Sequence, residues 1–171
     1  MYCLVFAFIC CFLATTVSAQ DYAPTEDGIR HVYMDKSGIT IETRIVLDKE
    51  DEKIKIVFWQ QTENGFIFKG INWKGDVSMT LYNGETIVLK DSGMHGHTLE
   101  RGGYVGGFQI PDIYKRYTAY FLSDSECDLL KQHAILMVSY KLDDKYDNNL
   151  RHMEISDKNH LLKSQLTALG K

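Results

Sequence analysis

The chain has 171 residues, a formal net charge of −4 and 25% charged residues. That length suits one domain with short appendages, and the mild acidity argues against nucleic acid and anionic membrane as partners. One apolar run, at the N-terminus, is the only long one, and it falls short of the roughly 20 residues a membrane span takes, so no integral membrane segment is expected.

Leu4 to Thr16 is that run, and it ends in Val17-Ser18-Ala19 before Gln20. An apolar segment of this length closed by small residues reads as a secretory signal, residues 1–19, although no Lys or Arg precedes it. A secreted or periplasmic location follows. Of four cysteines three lie in the signal, which leaves Cys127 alone. An exported domain without an internal disulfide has to be held by its core. Residues 20–28 are polar and read as a flexible leader, and residues 29–171 as a single β-rich domain.

Strand signals begin at Ile29. Ile29–Asp35 leads to the turn-like Lys36-Ser37-Gly38. Over Ile39–Leu47 the alternation predicts Ile39, Ile41, Ile45 and Leu47 facing inward, with Thr40, Glu42 and Arg44 facing water. The charged Asp48–Lys53 reads as a solvated hairpin turn. Ile54–Gln60 sets Ile54, Ile56 and Phe58 on one face, and a short strand is expected over 66–69 after Asn64-Gly65. Val77, Met79 and Leu81 alternate up to Asn83-Gly84, which predicts a two-residue hairpin turn into Glu85–Lys90.

Then the pattern stops. Asp91 to Gly107 reads DSGMHGHTLERGGYVGG and holds six of the thirteen glycines. A long glycine-rich connection in a compact domain is usually a functional loop or a disordered one. Beyond it, Ile113–Leu122 is extended, and Ser123 with Glu126 forms a capping-box pattern for a short helix ending near His133, with Cys127 and Leu130 on its buried face. Ala134–Leu142 is nearly continuously apolar and predicts a central strand covered on both faces. A polar turn over Asp143–Asn149 and a last strand over Leu150–Ile155 precede a helix capped by Ser156. That helix carries Leu162, Leu166 and Leu169 and is closed by Gly170. The expected fold is all-β, β-sandwich-like and antiparallel, with two short helices in the C-terminal third; an α+β arrangement is the alternative.

Three groups of residues carry candidate chemistry. In an extended backbone His95 and His97 point the same way, so their imidazoles can converge on one metal ion, zinc by ligand type, with a third ligand from Glu100, His31, His152 or His160. Tyr114, Arg116, Thr118 and Tyr120 share one strand face, and with Tyr104, Trp59 and Trp73 can form an aromatic surface for a glycan or a protein partner. Asp143–Glu154 has oxygen ligands at calcium-loop spacing, but Lys145 and Asn148 occupy positions that an EF-hand reserves for a ligand and a glycine. Cys127 on an apolar helix face is expected to be inert. Nucleophile-elbow, zinc-protease and phosphate-loop motifs are absent from the sequence.

With its signal ending in Ser18-Ala19-Gln20, its alternating strands and the closing YKLDDKYDNNLRHMEISDKNHLLKSQLTAL, the chain resembles small exported β-rich proteins of uncharacterised function from Gram-negative bacteria. The resemblance implies an exported β-rich domain and carries no activity over to individual residues. The expectation is a binding or interaction module with Tyr104, Tyr114, Arg116 and Tyr120 at its contact surface. Two alternatives are a metal-dependent hydrolase built on His95 and His97, and an accessory subunit docking through an uncovered Leu162/Leu166/Leu169 stripe.

Overall fold

The computed structural model describes residues 28–34, 38–63, 69–72, 74–90, 94–146, 148–155 and 160–171. In chain order its elements are β1 (Ile29–Met34), β2 (Thr40–Glu50), β3 (Lys53–Glu63), β4 (Val77–Leu81), β5 (Thr86–Leu89), β6 (Met94–Glu100), β7 (Gly103–Val105), β8 (Phe108–Ile110), β9 (Ile113–Leu122), α1 (Asp124–Gln132), β10 (Ile135–Lys141), β11 (Leu150–Glu154) and α2 (Leu161–Ala168). A five-stranded sheet runs β1-β2-β3-β9-β6, a four-stranded sheet runs β11-β10-β4-β5, and β7-β8 form a separate ribbon. Every strand pairing is antiparallel.

The two sheets share one core. Ile45, Leu47, Ile54, Ile56, Phe58, Tyr120 and Leu122 come from the large sheet, and Val77, Met79, Leu81, Ile87, Leu89, Val138, Tyr140 and Met153 from the small one. The inward residues of β2, β3 and β4 are those that the alternation predicts, because strand side chains alternate between faces and only one face of each sheet meets the other. This is the expected sandwich-like architecture. β10 is central as expected, between β11 and β4, but Leu136 is exposed and the pairing with β4 is irregular between Ile135 and Met137. Both faces are covered over residues 138–140, where three consecutive side chains are buried, and the bulge near Leu136 is where the outer face opens to water.

The turns redistribute the expected chemistry. The tight two-residue turn lies at Asp51-Glu52, both at positive φ, between the paired Glu50 and Lys53. At Asn83-Gly84 the connection is longer: Gly84 N donates to Leu81 O and Leu81 N donates to Glu85 O, with φ of +88° at Gly84 alone. That is a three-residue loop with a bulge, not a two-residue turn. Asp48 and Glu50, read as part of a solvated turn, reach sideways to the buried Lys55 Nζ at 3.3 and 2.7 Å. Burying an ammonium requires such partners. The strand expected over 66–69 lies, except for Lys69, outside the described residues.

α1 begins as its sequence predicts. Ser123 Oγ accepts from Glu126 N, and Glu126 Oε2 accepts from Ser123 N at 2.7 Å. His133 is its C-cap, and Cys127 and Leu130 are buried. The second helix starts later than expected: Ser156 lies outside the described residues, and the N-cap is His160, in the left-handed region. Leu162 and Leu166 are buried in the common core, and Gln165 Oε1 accepts from Leu47 N at 2.8 Å. Leu162 and Leu166 are covered by β2 and α1 of the same chain and Leu169 partly so, which leaves little of the stripe that an accessory subunit was expected to use. Full burial of each leucine contributes about 1.5–3 kcal/mol to docking this helix.

Candidate functional site

The glycine-rich stretch is largely regular structure. Its residues 91–93 lie outside the described set, but Met94–Glu100 forms edge strand β6, paired with β9 from Met94↔Ala119 to Glu100↔Ile113. The irregular excursion expected from glycine content is corrected by this pairing. Gly96 sits opposite Tyr117, whose ring folds across it: a Cβ at position 96 would stand 2.9 Å from Tyr117 Cζ. The glycine between the two histidines thus makes room for an aromatic ring from the next strand.

After β6 the chain leaves the sheet as the β7–β8 ribbon. Val105 pairs with Phe108 across Gly106-Gly107, at φ of +58° and +86°, as a primed two-residue turn requires. The base is clamped by Asp112, which accepts from Gly102 N at 2.7 Å and from Arg101 Nη1 at 3.1 Å. By register Val105, Phe108 and Ile110 lie on one face of the ribbon and Tyr104 and Gln109 on the other. All four apolar side chains stand in water: Tyr104 is 77% exposed, Val105 65%, Phe108 80% and Ile110 46%. Large apolar groups clustered this way are a departure for a water-facing surface, whereas scattered ones are ordinary.

The expected tyrosine face divides. Tyr104 is on the ribbon. Tyr114, half-buried, pairs with Leu99 of β6 and Thr62 of β3. Tyr120 is only 1% exposed; its ring meets Phe58 edge-on at 6.1 Å and its hydroxyl donates to Gly75 O at 3.3 Å. It is a core residue, and its place in a ligand surface is corrected accordingly. The choice of which β9 face turns inward is set by Phe58 and Ile56, which sit beside Thr118 and Tyr120. The opposite face carries Tyr117, which packs with Trp59 at 5.2 Å between ring centroids. Trp73 lies outside the described residues.

Toward the β6 edge the inward face turns polar. Gln60 is buried, donates to Thr43 Oγ1 at 3.3 Å and accepts from Ile71 N at 2.8 Å. Beside it Arg116 Nη2 donates to Asp143 Oδ2 at 2.7 Å. His95 and His97 stand opposite Thr118 and Arg116, so they share one face of an extended strand. Burial pushes the His95 imidazole below its ordinary pKa; Asp143 opposes that shift, while Arg116, Lys74 and His97 reinforce it. Among the described residues no group of three or more His, Cys, Asp or Glu is placed to hold a metal ion. The register places the two histidines on one strand face, and Asp143, the carboxylate acting on His95, is engaged by Arg116. His152, another candidate third ligand, has its Nδ1 2.9 Å from Ser139 Oγ.

The sequence reading missed Val105, Phe108, Ile110 and Asp112. The first two flank Gly106-Gly107, and an apolar–Gly-Gly–apolar pattern is itself a hairpin signal; the surrounding glycines masked it. Burial holds the Cys127 thiol above its ordinary pKa, which suits a structural residue. In comparisons with known proteins, no family model matches the chain, and neither a curated protein nor a solved structure matches it.

Proposed function

We propose that this chain is an exported binding module that makes its contacts through the β7–β8 ribbon. The observation that carries the reading is the exposure of Tyr104, Val105, Phe108 and Ile110 on a ribbon whose base is fixed by Asp112. Apolar side chains clustered on an exposed surface tend to mark an interaction site, and a clamped ribbon presents them with little ordering cost. Tyr104 stays in the contact surface inferred from sequence, and three apolar neighbours join it. Arg116 and Tyr114 belong to the polar end of the sandwich. The metal-dependent hydrolase gains the extended backbone that aligns His95 with His97, yet it needs a third ligand beyond those two.

A photo-reactive phenylalanine analogue at position 108, introduced in the producing cells, tests the reading. Discrete adducts are expected from position 108 and not from exposed Tyr82 at the far β4–β5 loop. Equal, diffuse labelling from both positions refutes it.

A further inference from the structure

The ribbon is exposed on both of its faces, and this separates the classes of partner. A flat protein surface covers one face of a two-stranded ribbon and leaves the other in water, whereas a fluid apolar layer surrounds it, as otherwise only a cleft shaped to receive it can. Tyr104 on one face and Val105, Phe108 and Ile110 on the other all lie in solvent. Together they offer roughly 500 Å², judged from the 150–250 Å² of a whole aromatic side chain. A stable protein interface takes about 800 Å² per partner. Sugar recognition sets several hydrogen-bonding groups beside the stacked ring, and on this ribbon the Gln109 amide and the Tyr104 hydroxyl are the polar side-chain groups.

Charge points the same way. From Gly102 to Pro111 there is no charged residue. At the base Arg101 is neutralised by Asp112 and Lys115 by Glu100. The patch is therefore apolar with an electrically balanced rim, which fits a surface of no net charge.

Resting on the reading of the ribbon as the contact surface, we infer that it is a membrane-surface anchor that inserts into the interfacial layer of a zwitterionic lipid bilayer. Strands of three residues at about 3.3 Å per residue are about 10 Å long. Interfacial segments sink roughly 5–10 Å, to the boundary of headgroups and acyl chains. The backbone limits the depth: the ladder pairs only the groups between the two strands, and their outer N–H and C=O groups still need water, so the ribbon cannot cross the hydrocarbon. Tyr and Phe suit that depth, because an aromatic ring with an apolar body belongs at the membrane–water interface. The Asp112 clamp holds the ribbon out from the sandwich.

The experiment uses the protein from Gln20 onward, the form that cleavage at the expected signal would leave, whose described fold begins at Gly28. It is floated with phosphatidylcholine vesicles beside a variant carrying Val105→Ser and Phe108→Ser. The wild type should float and the variant should lose binding by about tenfold or more, since both substitutions remove apolar area from the inserted face. Raising the salt should change wild-type binding by less than about twofold, because no net charge is engaged. Should the double variant unfold, Phe108→Trp in the otherwise intact chain decides through a blue-shifted emission quenched by lipids labelled near the headgroup. Absence of flotation, flotation of a folded double variant, or loss of binding at high salt each overturns the anchor. If flotation fails while the cross-linker at 108 captures a protein or a glycan, the lipid inference falls and the contact-surface reading stands; if neither occurs, both fall.

Discussion

Phe58 and Phe108 are the same side chain in opposite circumstances, and comparing their removal tests the site assignment without any partner. Phe58 is 1% exposed at the centre of the shared core, and Phe108 is 80% exposed at the tip of the ribbon. A phenylalanine side chain has about 200 Å² to bury, so Phe108 buries about 40 Å² of it. At 25 cal/mol per Å² that is about 1 kcal/mol at most, and cross-strand pairing with Val105 lies within the same range. Phe108→Ala should therefore cost under about 1 kcal/mol, and Phe58→Ala about 3–5 kcal/mol, the range for a buried aromatic. Urea unfolding followed by the fluorescence of Trp59 and Trp73 measures both. If Phe108→Ala costs more than about 2 kcal/mol, the ribbon is packed in the native state and its exposure is not a functional feature.

Three further outcomes follow from the geometry. Gly96→Ala should destabilise by about 1–3 kcal/mol through overpacking against the Tyr117 ring, and a background of Tyr117→Ala should remove most of that penalty; an unchanged penalty places the strain elsewhere. Ser123→Ala should cost about 1 kcal/mol by removing the cap of α1, read as a shift in urea midpoint without a change in slope. His31 and His95 are both held below the ordinary imidazole pKa, in each case mainly by burial. A histidine whose folded pKa is lowered binds fewer protons folded than unfolded, so stability should rise with pH through the window just below about 6.5 and fall as that window is crossed toward acid. The double variant His31→Gln, His95→Gln should flatten the slope there, and an unchanged slope refutes the lowering of the two imidazole pKa values.

Periodicity carried most of the fold. Ile41, Ile45, Ile54, Ile56, Phe58, Val77, Met79 and Leu81 are buried where alternation puts them, because a strand's pleat leaves a side chain only two directions. What alternation leaves open is which face becomes the inner one when both are apolar enough. β9 is such a strand: Tyr117, Ala119 and Phe121 compete with Tyr114, Thr118 and Tyr120, and the register with β3 decides for the second set. Turn residues misled for a related reason. Asn83-Gly84 has the composition of a primed turn, but the ladder Thr80↔Thr86 fixes a longer loop, while Asp51 and Glu52 accept positive φ because the long β2–β3 ladder outweighs their local preference. Glycine content misled most, since it was read as irregularity where it serves close packing at Gly96 and a tight turn at Gly106-Gly107.

The placement of these departures bears on function. Between the two sheets local preference and tertiary role agree: the alternating apolar residues meet in one core, the α1 cap is occupied, and the buried Lys55 ammonium has two carboxylates beside it. From β6 to β8 they disagree. β6 is an edge strand with two histidines on one face, and the ribbon sets aromatic and branched apolar side chains in water at a cost in solubility that folding does not offset. A mobile loop would carry the same glycines without Asp112, and a ribbon serving only to connect β6 to β9 would carry polar residues at 105, 108 and 110. The clamp and the apolar tip together are the features that the proposed contact through the ribbon would use.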